Sequence, residues 1–247
     1  MSDTNECLVC QAPIEYIDAE EQMECFMCHK TEGSKCRCVN GHFVCNECHS
    51  KGMDQMFKVC LNHKSKNPFT VLEDLMNMDC CHMNGPEHHV FLSSALLTAY
   101  KNAGGDIDLE NALKESYVRG AKVPGGTCGF WGTCGAAVSS GQFVSIVTKS
   151  NPLADEPWGL CNKMTANSLT AIADVGGPRC CKRNCWLALY QAIDFAKENL
   201  GVEMEADKVI SCNHIPENKQ CIGKRCPFAP VNARKKMQEL ESVEKGE

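Results

Sequence analysis

The sequence has no long hydrophobic run and little basic charge. No stretch approaches the roughly eighteen consecutive apolar residues of a membrane-spanning helix, so we expect no membrane segment. Its 25 Lys and Arg residues are outnumbered by 31 Asp and Glu residues, which gives a formal net charge of −6 at pH 7. Because there is no broad basic face to meet phosphate groups, a nucleic-acid partner is not expected.

A secretory signal is also missing from residues 1–30, which contain neither a basic start nor an apolar core. The expected location is therefore the cytoplasm, where thiols are kept reduced. Cysteines at short spacings are then expected to be metal ligands or reactive thiols and not structural disulfides.

The motifs of several enzyme classes are absent as well. There is no glycine-rich loop followed by Lys-Ser or Lys-Thr and no Gly-x-Gly-x-x-Gly after a strand, so no nucleotide site is visible. No Gly-x-Ser-x-Gly motif is present to supply the nucleophile of a serine hydrolase. The Cys-x3-Cys-x2-Cys spacing expected of a radical enzyme's cluster is missing too.

Cysteine is what the chain has in abundance, with 20 in 247 residues, nine of them in the first 60. The fall in cysteine density after Cys60 indicates a boundary near Lys64 to Pro68. We therefore expect a cysteine-rich zinc-binding module over 1–65, a helical domain over 66–205, and a cysteine-containing segment with a solvated tail over 206–247. The first segment has few large aliphatic residues, so bound metal is expected to stabilise it.

The spacing of the N-terminal cysteines predicts about two structural zinc ions, because a Cys-x-x-Cys pair presents two thiolates to one tetrahedral ion. The candidate ligands are Cys7, Cys10, Cys25, Cys28, Cys36, Cys38, His42, Cys45, Cys48, Cys60 and His63. The simplest pairing is sequential, with the first four cysteines on one zinc and the next four on another.

A cross-braced pairing is the alternative, because the run CVNGHFVCNEC resembles the middle of a RING-type finger. One ion would then bind Cys25, Cys28, Cys45 and Cys48. The other would bind Cys38, His42, Cys60 and His63. In this arrangement Cys7 and Cys10 are left over.

The rest of the chain is predicted to be mainly α, a helical bundle, with no convincing strand run anywhere. Apolar residues recur at helical spacing, and caps and glycine stops mark the ends. Residues 121–132 interrupt this pattern as a glycine-rich loop. The predicted helices cover about 68–78, 88–102, 109–120, 134–150, 162–174 and 178–200, with a frayed helix in the last sixteen residues.

Four cysteines of the helical domain are expected to share a redox or metal site. Cys134 falls at the start of a predicted helix, where backbone N–H groups favour a thiolate, and Cys128 lies nearby in the glycine loop. Cys180 and Cys181 open the last long helix. If packing brings these helix starts together, the thiols could hold an iron–sulfur cluster or cycle between thiol and disulfide.

Two stretches resemble known families. Residues 132–137, GTCGAA, are similar to a redox-active family recognised by a Gly-Cys-Ala-x-x-Gly motif. More closely, residues 79–201, with DCCHMNGPEHHVFL, CGFWGTCGAAVSSG and GGPRCCKR, resemble an uncharacterised domain of anaerobic bacteria and archaea, sometimes found beside methyltransferase or radical enzymes. This resemblance implies an all-helical domain with a redox or metal role and no established reaction.

Two further groups could bind a cofactor. His88 and His89 follow Cys80 and Cys81, and at most one of the two histidines is expected to join a shared site, because successive helical residues point about 100° apart. In the C-terminal segment, residues 206–247, three thiols could hold a [4Fe–4S] cluster with one iron open. A zinc ion would be equally compatible with the number of ligands there. These thiols are Cys212, Cys221 and Cys226, with Cys161 or His214 as a possible fourth ligand.

The leading hypothesis is a cytosolic metal-binding redox protein whose thiols carry electrons or sulfur to a redox partner. A non-catalytic zinc-finger adaptor that binds a partner protein is the alternative. A third interpretation, an accessory to a methyl- or sulfur-transfer enzyme, depends on the resemblance alone.

Overall fold

A computed structural model describes residues 7, 12–25, 30–49 and 53–244 of the chain. The predicted ligands Cys10 and Cys28 lie outside these described residues. The described part is mainly helical and contains one small two-stranded sheet, which confirms the predicted fold class. Among the residues that the structure describes, none of the helices combines the length and the apolar character needed to cross a membrane.

The sheet is a hairpin that the sequence did not reveal. Strand β1 (Ile14–Glu24) pairs antiparallel with β2 (Thr31–Cys38), from Ile14 opposite Cys38 to Glu24 opposite Thr31. Most side chains of β1 are exposed or half-buried, so the strand lacks the apolar alternation that would have marked it. The expectation of no strand was therefore wrong for this segment.

Two helices follow the hairpin, α1 (Asn46–His49) and α2 (Met53–Asn62). Helix α2 already packs into the helical bundle, because Met56 and Cys60 are fully buried in the main hydrophobic core. The small core of the hairpin is separate and contains Met23, Cys25, Phe43 and Cys45.

The next helices match the sequence prediction closely, because their end signals are local. Helix α3 (Pro68–Met76) starts after Asn67, whose side-chain oxygen accepts the Phe69 N–H at 2.9 Å. Helix α4 (His88–Asn102) is central and almost wholly buried. Helix α5 (Leu109–Gly120) is capped by Asp108, which accepts the Asn111 N–H at 3.2 Å.

The structure differs from the prediction around the glycine loop. A short helix, α6 (Thr127–Phe130), forms inside it. Helix α7 (Gly135–Val147) then begins one residue later than expected, so Cys134 is its N-cap and not part of its first turn. Helix α8 (Glu156–Val175) begins earlier than predicted, and α9 (Cys181–Leu200) begins after Cys180, its own N-cap.

The C-terminal segment packs back onto α9 before the chain ends in α10 (Pro230–Glu244). Phe228 contacts Trp186 with ring centroids 5.2 Å apart, and the Cys212 N–H donates to the Phe228 carbonyl at 2.8 Å. Two single 3₁₀ turns, Ile215–Glu217 and Gly223–Arg225, shape the loops between these contacts. This segment is thereby held against the start of α9.

Candidate functional site

Two ligand groups lie at opposite ends of the hairpin. Cys25, Cys45 and Cys48 form one group, and their sulfur atoms lie within 4.8 Å of one another. The other group consists of Cys7, Cys38 and His42, with the Cys7 Sγ 3.7 Å from the His42 Nδ1. Either group could hold a metal ion.

This arrangement differs from the sequential pairing because the hairpin keeps Cys7 and Cys25 apart. The 11 residues of β1 separate them, on the order of 30 Å of extended strand. Antiparallel pairing instead brings the start of β1 next to Cys38, at the end of β2. The Cys25 group agrees with the cross-braced alternative, and Cys7 takes the place that this alternative gave to Cys60 and His63.

Backbone donors support sulfur ligation in both groups. The Cys45 N–H donates to the Cys25 Sγ at 3.3 Å, and the Asn40 N–H donates to the Cys38 Sγ at 3.3 Å. Such donors stabilise negative charge on sulfur, which a metal-bound thiolate carries.

Cys60 and His63 lie in the helical bundle. Burial raises the pKa of Cys60 to about 11, and a hydrogen bond from Thr98 opposes this shift. His63 contacts the Asp74 carboxylate at 3.2 Å through Nε2 and accepts the Ser65 N–H at 3.1 Å through Nδ1. Within the described residues, neither belongs to a group that could hold one ion.

A third group joins Cys81, Glu87 and His88 at the start of α4, and it too could hold a metal ion. The Cys81 Sγ lies 3.7 Å from the His88 Nε2 and 3.7 Å from the Lys182 Nζ. Burial lowers the pKa of His88, but Cys81 and Glu87 outweigh it and raise the value to about 9. The sequence pattern indicates Cys81 and His88 as candidates, whereas Glu87 follows no recognisable ligand spacing.

His89 points elsewhere, as the helical geometry of successive residues predicts. Its Nδ1 lies 2.9 Å from the Val123 carbonyl oxygen, and burial lowers its pKa to about 4. At neutral pH this ring is therefore uncharged.

A cavity of about 400 Å³ opens between the hairpin and the helical bundle. We call it the interface cavity. Its lining includes Tyr16, Cys36, Cys128, Cys134, Arg179 and Cys181. It therefore contains three of the four helical-domain cysteines expected to share a site, together with Cys36, which had been expected to bind zinc.

The charged and polar groups of the interface cavity act on one another. The Arg179 guanidinium carbon lies 5.0 Å from the centre of the Tyr16 ring. Burial raises the pKa of Cys181. The positive charge of Arg179 opposes this rise, and Cys134 adds to it. The pKa of Cys128 is raised by burial and by Cys134, and is again opposed by Arg179.

A second, smaller cavity of about 20 Å³ lies on the other side of the start of α9. We call it the cysteine cage, because four thiols line it, from Cys180, Cys212, Cys221 and Cys226. The remaining lining is largely apolar and includes Met83, Trp186 and Ile215.

Each sulfur of the cysteine cage receives a backbone donor. The Arg183 N–H donates to the Cys180 Sγ at 3.5 Å, and the Gly223 N–H donates to the Cys221 Sγ at 3.3 Å. Burial raises the pKa values of Cys212 and Cys226, and backbone hydrogen bonds from His214 to Cys212, and from Phe228 and Ala229 to Cys226, oppose this rise.

Negative charge on one thiol of the cage also affects the pKa values of the others. Burial is the main reason that the pKa of Cys212 is raised to about 11, and Cys180, Cys226 and Cys221 raise it further. Their sulfur atoms nevertheless form none of the groups within 4.8 Å that the described residues contain. No three of these sulfurs therefore lie as close together as the ligands of a single ion do.

The fourth thiol of the cage belongs to Cys180. Cys161 and His214, the two residues predicted as a possible fourth ligand, make other contacts. Cys161 lies on α8, where its Sγ contacts the Trp158 carbonyl at 3.2 Å. His214 lines the cage, but its Nδ1 faces the Glu217 carboxylate at 3.4 Å. The cage thus combines the start of α9 with the C-terminal segment.

Comparison with known proteins gives one family match. Residues 56–229 match the family model of DUF5714, described as a family of unknown function. This confirms the predicted likeness to an uncharacterised domain. No curated protein and no solved structure matches the chain. The matched range begins inside α2 and contains the whole cysteine cage, whereas the hairpin lies outside it.

Proposed function

The chain belongs to this family of unknown function, and we propose that it is an iron–sulfur redox protein that transfers electrons through a [4Fe–4S] cluster in the cysteine cage. The observation that carries the proposal is the convergence of four thiols, from Cys180, Cys212, Cys221 and Cys226, on one small cavity. Four cysteine thiolates are the usual ligand set of such a cluster.

The width of the cage favours a cluster over zinc. A tetrahedral zinc ion with bonds of 2.3 Å holds its sulfur ligands about 3.8 Å apart. No three of the cage sulfurs lie within 4.8 Å of one another. A cluster places a separate iron at each thiolate and therefore suits more widely spaced ligands.

The surroundings of the cage suit thiolates that carry electrons. Backbone N–H groups donate to the sulfurs, and burial raises the pKa values of Cys180 and Cys226, an effect that the Arg183 charge opposes. Hydrogen bonds to the sulfurs and exclusion of solvent both tune the reduction potential of a bound cluster.

The two groups of the hairpin are proposed to bind structural zinc. Cysteine and histidine ligands within 4.8 Å of one another suit one tetrahedral ion. The core of the hairpin is small, so bound metal would supply much of its stability. We place the protein in the cytoplasm, where a redox partner protein would exchange electrons with the cluster.

Metal and sulfide analysis of protein purified without oxygen tests the proposal. We expect zinc together with equal amounts of iron and acid-labile sulfide, and a reduced cluster visible by electron paramagnetic resonance. The variant C212A/C221A/C226A should lose the cage cluster. Cys161→Ala is the matched control, because this thiol lies on α8 outside the cage, and it should retain the iron.

An adaptor that only binds a partner protein would give a different result. All of its cysteines would be structural, so the protein would contain zinc and no iron or sulfide after anaerobic purification and after reconstitution. That outcome would refute the proposed redox function.

A further inference from the structure

The electron carrier proposed above makes no use of the interface cavity, although this is the larger of the two cavities. We propose that Cys128, Cys134 and Cys181 hold a second [4Fe–4S] cluster there, whose fourth iron has no cysteine ligand and faces the cavity, where it binds a small anionic molecule. This site goes beyond the cage cluster and does not depend on it.

The three thiols come from three separate segments that meet at the cavity wall. Cys128 lies in α6, Cys134 is the N-cap of α7, and Cys181 is the first residue of α9. Cys134 adds to the pKa shifts of both other thiols, so it lies within electrostatic range of each. In the described part of the chain, no group of ligands close enough for one ion includes any of the three.

Several positive and donor groups face this set and would offset the charge of an anionic cluster. Burial raises the pKa values of Cys128 and Cys181, and the positive charge of the Arg179 guanidinium opposes this rise. The Asn184 side-chain amide donates to the Cys134 Sγ at 3.3 Å. Cys134 and Cys181 also lie at the N-termini of helices of 13 and 20 residues, where the dipole favours negative charge.

Two further cysteines of the cavity, Cys185 and Cys36, make different contacts, and Cys7 and Cys38, which also line it, belong to a ligand group of the hairpin with His42. Cys185, one turn after Cys181, is fully buried and its thiol lies 4.0 Å from the His88 carbonyl oxygen, which it meets as a donor. Cys36 is on β2, where it takes part in a hydrogen bond with Tyr16. Three cysteine ligands leave one iron of a [4Fe–4S] cluster with an open position.

The chemistry of the cavity indicates the class of ligand. Arg179 supplies a positive charge next to the three thiols, and its guanidinium suits a carboxylate. Tyr16 supplies a phenol whose pKa is raised to about 12, mainly by burial, so that it remains a neutral donor. A small molecule with one anionic donor for iron and a carboxylate for Arg179 would match both features.

Iron and sulfide counts on the full chain test the second cluster. After anaerobic reconstitution, wild type should bind about eight irons, as two [4Fe–4S] clusters require. The variant C128A/C134A/C181A should bind about four and keep the signal of the cage cluster. Cys185→Ala is the matched control and should keep all of them.

The same counts separate the two proposals. About four irons in wild type that disappear in C212A/C221A/C226A and persist in C128A/C134A/C181A would overturn this inference and leave the cage cluster standing. About four irons with the reverse pattern would overturn the cage and support the cavity cluster. An effect of Cys185→Ala equal to that of the triple variant would overturn the open iron, because a fourth cysteine would then be a ligand.

A ligand titration of the reduced wild-type protein tests the open iron directly. It does not depend on a cysteine variant that has to fold without its cluster. Mercaptoacetate offers a thiolate and a carboxylate, and it should change the paramagnetic resonance signal of one cluster only. Arg179→Ala should weaken its binding roughly tenfold, whereas binding of the uncharged methyl ester should depend little on Arg179. If saturating mercaptoacetate changes neither signal, the open iron is refuted.

Discussion

Cys180 and Cys181 are consecutive residues, yet their thiols line two different cavities. Cys180 is the N-cap of α9 with an extended backbone, at φ −149° and ψ 106°, whereas Cys181 is the first helical residue. Their side chains therefore diverge at the helix start. A single peptide unit would join the two proposed clusters, which gives electrons a short covalent path between the cage and the interface cavity.

Removing the metal from the hairpin should unfold it and spare the helical bundle. Among the residues that the structure describes, its buried core consists of Met23, Cys25, Phe43 and Cys45, whereas the bundle has its own large core. Limited proteolysis after chelation should cut before residue 53, while far-ultraviolet circular dichroism keeps most of its helical signal. Simultaneous loss of the whole signal would contradict the independence of the two cores.

Replacing different cysteines of the N-terminal module should have sharply different effects on the zinc content of the protein. Cys45→Ala should release one zinc ion, because Cys45 lies in a ligand group. Cys36→Ala is the matched control on the same module and should keep the zinc, since Cys36 belongs to none of the ligand groups that the described residues form. Equal zinc loss in both variants would favour the sequential pairing.

Replacing Cys60 should affect stability and leave metal content unchanged. The thiol is fully buried in the main core, and burial raises its pKa to about 11. We expect Cys60→Ala to lower the free energy of unfolding by about 1 kcal/mol, from lost packing. Urea denaturation measures this change, and metal analysis of the same sample should match wild type. Loss of one zinc ion would place Cys60 among the ligands.

Tyr16 should titrate later than an ordinary tyrosine. Tyr16 is 42% exposed overall, and burial of the rest of the residue raises the pKa of its phenol to about 12, a shift that Arg179 opposes. Because the folded pKa exceeds the unfolded value of about 10, the stability that this group contributes is present below about pH 10 and is lost as the pH rises towards 12. Subtracting the ultraviolet titration of Tyr16→Phe from that of wild type isolates the curve, and a midpoint near 10 would mean that the phenol is solvated.

Replacing Gly141 or Gly159 by alanine should change the stability of the protein in opposite directions. A methyl group at Gly141 in α7 would overlap the Thr165 hydroxyl and lie 2.9 Å from the Cys161 carbonyl oxygen, because α7 and α8 pack closely there. Gly141→Ala should therefore cost about 1 to 3 kcal/mol. Gly159→Ala in α8 meets nothing within 4 Å and should stabilise the helix by up to about 1 kcal/mol. Thermal unfolding of both variants checks the contrast.

Most of the helices could be predicted from the sequence, because the signals that define a helix are local. The range of α4, His88–Asn102, follows from its apolar run and its glycine stops, and the approximate start of α5 follows from a capping aspartate, for which Asp106 and Asp108 are both candidates. The abundance of cysteine at short spacings also predicted metal binding, since two thiolates within a few residues can reach one ion without help from the rest of the fold.

Which cysteines lie together could not be predicted from the sequence, because it depends on packing between distant segments. Cys180 reaches Cys212 because the C-terminal segment packs on α9, and Cys7 reaches Cys38 because the hairpin pairs antiparallel. Both relationships join residues about thirty positions apart, and the strand that creates one of them is rich in acidic residues and mostly exposed. Contacts of this kind depend on packing between elements, which neither spacing nor periodicity encodes.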